Sequence, residues 1–135
     1  MHEYWFEYVK SCYDLVVESE GNTGMILQHE VEAYVVHLMA RNFNRTDIGN
    51  DPLGMKLLEA INSGKSSRVV SVADECLLVH SFPLRKTKWA TETYYQELGI
   101  TAYGMVGHIM ERNFTMAANV MSAIFNKKHL NLKMH

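Results

Sequence analysis

A chain of 135 residues, 47 % hydrophobic and 21 % charged, fits a single globular domain with a core of its own. Its formal charge of −2 offers no basic face for nucleic acid. No apolar run reaches the roughly 20 residues that cross a bilayer, and only two prolines and eight glycines argue against disorder or a loop-rich β fold.

The amino terminus, Met-His-Glu-Tyr-Trp-Phe-Glu, lacks the basic-then-apolar order of a signal peptide. Cys12 and Cys76 are isolated in apolar helical patterns, as buried free thiols of a reducing compartment are. The expected location is therefore the cytoplasm.

In chain order, a first helix is predicted over residues 2–19, with Trp5, Val9, Cys12 and Val16 as its stripe. Gly21-Asn22-Thr23-Gly24 reads as a turn. A second helix begins between Thr23 and Gln28 and ends near Asn44. It carries one apolar row of Leu27, Val31, Tyr34, Val35 and Leu38, and another of Val36, Met39, Ala40 and Phe43. Two apolar faces mean a helix sandwiched between neighbours or at a subunit interface, which is the reason to expect a homodimer.

Asp51-Pro52 signals a helix start, with Leu53, Leu57, Ala60 and Ile61 inward and Gly64 as terminator. Ser66 or Ser67 caps the next helix, whose stripe is Val69, Val72, Ala73, Cys76 and Val79 or His80, and Pro83 stops it. Arg85-Lys86-Thr87-Lys88 forms a short solvated basic loop. Residues 91–114 then read as a central helix with Tyr94, Leu98, Ala102, Met105 and Ile109 on one face. Gly99, Gly104 and Gly107 interrupt it, each at a cost of about 1 kcal/mol, so close approach of a helix or ligand is expected there. A last helix runs over 115–126 with Met116, Val120, Ala123 and Ile124 inward, followed by a frayed tail from about 127. The fold class is all-α, a single domain over 1–135 with five to six helices.

His37-Leu38-Met39-Ala40-Arg41-Asn42-Phe43 is echoed by His108-Ile109-Met110-Glu111-Arg112-Asn113-Phe114, each read as a helix end. Shared helix-ending chemistry explains the echo better than duplication.

Chemistry has few candidates. His29 and Glu32 share a helical face, as metal-binding bundles require, but in the reverse of the usual Glu-x-x-His order and without two further carboxylates. Cys76 and His80 are four apart, yet no third member or oxyanion donor accompanies them. Tyr94, Tyr95 and Tyr103, preceded by Trp89, can line a pocket beside Gly104 and His108, although an aromatic row at helical spacing is more often plain core. The nine methionines suit an irregular core or an adaptable surface. Phosphate loops, zinc knuckles and serine elbows are absent. No catalytic residue and no cofactor is expected.

Asp74-Glu75-Cys76-Leu77-Leu78, Phe82-Pro83, Tyr94-Tyr95, Leu98-Gly99 and Ala102-Tyr103-Gly104 together resemble an uncharacterised group of small all-helical bacterial proteins. The resemblance implies a helical fold and a bacterial origin, and it transfers no activity or site residue. Two functions are expected to compete. One is a non-enzymatic protein-interaction module acting as a homodimer. The other is a small-ligand or metal-binding bundle with its pocket beside residues 91–112.

Overall fold

A computed structural model describes residues 2–42, 44–45, 47–82 and 92–134, with side chains over 4–42, 44–45, 47–82 and 93–126. Among the described residues it contains six α-helices and no strand, as the all-α expectation required. They are α1 (His2–Thr23), α2 (His29–Arg41), α3 (Leu53–Ser63), α4 (Ser66–Ser81), α5 (Glu92–Met105) and α6 (Met110–Met134). The expectations placed on Phe43, Pro83, the basic loop at Arg85–Lys88 and Trp89 lie outside the described residues.

The organising helix is α4 rather than the stretch 91–114. Val69, Val72, Ala73, Glu75, Cys76, Leu77, Leu78 and Ser81 are all buried along it, and it packs against α3, α5 and α6. On the other side α6 takes α1 and α2, which also pack on each other.

The first helix runs four residues beyond its predicted end. Tertiary bonds hold that extra turn: the Ser19 hydroxyl donates to the Val120 carbonyl at 2.6 Å, and the buried Glu20 carboxylate accepts from the Leu27 amide at 2.7 Å. Gly24, at φ 72°, then ends it. Gly21 lies inside the helix with open space where a β-carbon would sit. Gly21→Ala is therefore expected to stabilise the protein by about 0.5–1 kcal/mol, read as a rise in the urea midpoint at unchanged slope.

Within one chain Val31, Val35 and Leu38 of the first row and Val36 and Ala40 of the second are buried, and Met39 is partly buried. Gly64 terminates α3 at φ 70°, as its position predicts. The cap preceding α3 is Pro52, not Asp51, whose carboxylate lies 3.7 Å from the Lys56 ammonium instead. Lys65 occupies the cap position of α4, so Ser66 and Ser67 fall in its first turn and cap nothing.

The predicted central helix is two helices. It breaks at Gly107, φ 65°, where the Gly107 amide bonds to the Gly104 carbonyl at 3.2 Å and the His108 amide reaches the Tyr103 carbonyl at 3.0 Å. Those two bonds are the Schellman pair that stops a helix on a left-handed glycine. The core face of α5 is consequently Tyr95, Gly99, Ala102 and Tyr103, while the predicted face members Tyr94, Met105 and Ile109 are 41 %, 53 % and 43 % exposed. Gly99 belongs to the core because the Phe114 ring fills the place of its missing β-carbon.

Starting at Met110 rather than 115 sets a new register for α6. Met110, Phe114, Ala117, Met121 and Ile124 face inward with Val120, and Met116 is exposed. No glycine or proline follows before residue 134, and the helix continues past 126 to Met134. The sequence echo also dissolves structurally, since His37–Arg41 closes α2 whereas Met110–Phe114 opens α6. What the copies share is local, with Asn42 and Asn113 each donating to the carbonyl four residues back, at 2.7 and 2.8 Å.

Candidate functional site: a tyrosine-clamped aspartate beside a cleft

Adjacent acids on α4 diverge by about 100° around the helix and serve two different layers. Glu75, buried, meets the guanidinium of Arg45 at 3.3 Å and the ammonium of Lys56 at 3.3 Å, tying the α2–α3 connection and α3 onto α4. Asp74 turns the other way. Its Oδ1 accepts hydrogen bonds from the hydroxyls of Tyr34 on α2 and Tyr103 on α5, the latter at 2.6 Å. Arg41 approaches the second oxygen at 3.9 Å from a half-exposed position, too far and too wet to contribute much.

Burial raises the carboxyl of Asp74 above the ordinary range, more than the tyrosine donors, Arg41 and His108 lower it. The same burial, next to an acid, drives both tyrosine hydroxyls upward. Each hydroxyl thus keeps its proton and serves as a fixed donor.

His108 completes the group. Its ring lies 4.8 Å from that of Tyr34 and 4.9 Å from that of Tyr103. Nδ1 accepts the Met110 amide at 3.1 Å and so caps α6, which assigns the ring proton of the neutral form to Nε2. One edge of His108 then borders a cleft of about 400 Å³ between the start of α2 and the α5–α6 turn. Gln28, Glu30, Val31, Ile109, Glu111 and Arg112 line it further.

Of the residues expected at a pocket, Tyr103 and His108 come together here. Gly104 belongs to the same turn but gives its space to the Glu111 carboxylate. Tyr94 and Tyr95 lie elsewhere: the Tyr94 hydroxyl covers Gly54 on α3, and Tyr95 is buried. His29 is exposed, and Glu32 hydrogen-bonds Glu20, which raises the Glu32 carboxyl. Among the described residues no three potential metal ligands converge. The Cys76 thiol is pushed up to about 12, first by burial and then by Glu75, and His80 packs at 5.8 Å from the Phe114 ring. A thiol so held is no nucleophile near neutral pH.

Sequence reasoning missed Asp74 and Tyr34. An available signal was the position of Asp74, between Ala73 and Cys76 on the predicted core stripe, where an acid needs partners. Compared with protein-family models, curated proteins and solved structures, the chain matches none.

Proposed function

We propose that the protein is a non-enzymatic helical binding module that takes a small polar ligand in the cleft beside His108. The observation that carries this reading is the cleft of about 400 Å³, within the size range of ligand sites, walled by a histidine whose orientation is fixed on three sides. Tyr34 and Tyr103, clamped on Asp74, hold the ring from behind, and α6 holds it through Nδ1. The rim adds donors and acceptors of both charges from Glu30, Glu111 and Arg112, which suits a ligand with several polar groups. A binding role fits better than catalysis, because the buried hydroxyls and the Cys76 thiol are held protonated.

Native mass spectrometry and thermal shift against metabolite-sized amines, carboxylates and phosphates test this. Ile109→Trp, at an exposed position on the lining, should fill the cleft while leaving the helical circular dichroism intact. Binding by the wild type that weakens at least ~10-fold in this variant is the expected result. Equal responses from both proteins, or none from either, would overturn the assignment.

A further inference from the structure

The charges that border the His108 cleft are not used by the protein's own ion pairs. Among the described residues, the pairs formed within 4 Å all draw their cations from Arg41, Arg45 and Lys56. Glu30, Glu111 and Arg112 take part in none of them, although all three line the same cleft.

Helix geometry explains why Glu111 and Arg112 do not neutralise one another. Neighbours on a helix project about 100° apart and do not face each other. The Glu111 carboxylate lies back over Gly104, at the end of α5. Arg112 follows His108 by about one turn, and the His108 carbonyl accepts the Glu111 amide at 3.1 Å as that turn opens. Residues four apart share a side, so the guanidinium and the Nε2–H of His108 border the cleft together. From the facing wall, Glu30 adds a second carboxylate in the first turn of α2. Val31 and Ile109 supply the apolar part of the lining.

This pattern discriminates between ligands. A plain anion such as phosphate meets Glu30 and Glu111, and a plain amine meets Arg112, each as a like-charge contact. A neutral ligand displaces water from all three charges without replacing it. A molecule carrying both charges satisfies each of them. We infer that the ligand of the cleft is a zwitterion of amino-acid chemistry, a free amino acid or a dipeptide with aliphatic side chains. Its carboxylate is received by Arg112 and the Nε2–H of His108, and its ammonium by Glu30 and Glu111. Its side chain lies on Val31 and Ile109. The inference rests on the binding role proposed above and adds to it the class of ligand. All three charged side chains are exposed, so water screens each contact and the affinity should be micromolar rather than tighter.

Isothermal titration calorimetry of the full chain with L-leucine and L-leucyl-L-leucine tests it. Each is compared with its N-acetyl form, which lacks the ammonium, and its C-terminal amide, which lacks the carboxylate. At least one zwitterion should bind, with both of its blocked forms at least ~10-fold weaker. Which of the two binds sets the length of the ligand. Arg112→Gln should weaken the zwitterion ~10-fold and leave the C-terminal amide unchanged, and Glu111→Gln should do the same with the N-acetyl form as the unchanged one. Circular dichroism confirms the fold of each variant. A blocked form that binds as tightly as its parent would overturn the inference, as would silence from both zwitterions. So would a zwitterion response that survives Ile109→Trp or that Arg112→Gln leaves intact. The binding role fails separately: it stands if an amine, carboxylate or phosphate binds in a manner sensitive to Ile109→Trp, and falls if no ligand does.

Discussion

Asp74→Ala is expected to lower the unfolding free energy by about 2–4 kcal/mol, measured by urea denaturation at neutral pH. The loss comes from the partners rather than from the acid itself. Tyr103 is fully buried and Tyr34 half-buried, and both direct their hydroxyls at Oδ1 of Asp74. Alanine leaves two donors facing an apolar wall, each at a cost of roughly 1–3 kcal/mol, partly offset because a carboxylate no longer has to be buried. His108, set between those two rings, loses its backing at the same time, so ligand binding at the cleft should weaken with stability.

Asp74→Asn separates the two contributions. An amide oxygen still accepts from both tyrosines, so the variant should lie within about 1 kcal/mol of the wild type near neutral pH. Its pH profile should differ in a fixed direction. The folded-state pKa of Asp74 is raised, so the native state holds this proton more tightly than the unfolded chain does. The contribution of Asp74 is therefore greatest below the ordinary carboxylate range and is lost as pH rises through the folded value. Asn carries no such proton, so its stability relative to the wild type should improve over that interval. A difference between the two proteins that stays flat from pH 3 to pH 7 would show that Asp74 titrates normally.

The helices were legible because their signals are local. Gly64 and the apolar spacings of α1, α2 and α4 needed nothing beyond neighbours three or four residues away. Sequence and structure part where local signals compete or distant partners decide. Tyr94, Leu98, Ala102, Met105 and Ile109 form a stripe at helical spacing only when the glycines are treated as interruptions. Gly99 is in fact a core position and Gly107 a helix terminator, so they carried the information that the apolar residues blurred. The extra turn of α1 rests on Val120, about a hundred residues away in sequence, and no short window contains that partner. The site shows the same division. His108 and Tyr103 stand close together in sequence beside the glycines, while Tyr34 and Asp74 join them only through packing of α2 and α4.

Gly99→Ala should be a damaging single-methyl change, with a net cost of about 1–3 kcal/mol. Its β-carbon would stand 2.5 Å from Cε2 of Phe114 and 3.0 Å from Cβ of Cys76. Neither neighbour can retreat easily. Phe114 has no solvent exposure and is held between His80 and Tyr103, at ring distances of 5.8 and 6.2 Å, and the Cβ of Cys76 is fixed to the α4 backbone. Alanine's better helix propensity, about 1 kcal/mol, only partly offsets the overlap. Gly107→Ala provides the contrast, because no atom lies within 4 Å of its added carbon and its cost, about 1–2 kcal/mol, is conformational strain at φ 65°. Phe114→Leu should distinguish the two causes in double-mutant cycles. The smaller side chain vacates space beside Gly99, so Gly99→Ala and Phe114→Leu together should be at least ~1 kcal/mol more stable than the sum of their separate effects predicts. Gly107→Ala and Phe114→Leu should simply add. Additivity in the first cycle would mean that the helices part to admit the methyl group, and that α4, α5 and α6 are not locked together at Phe114.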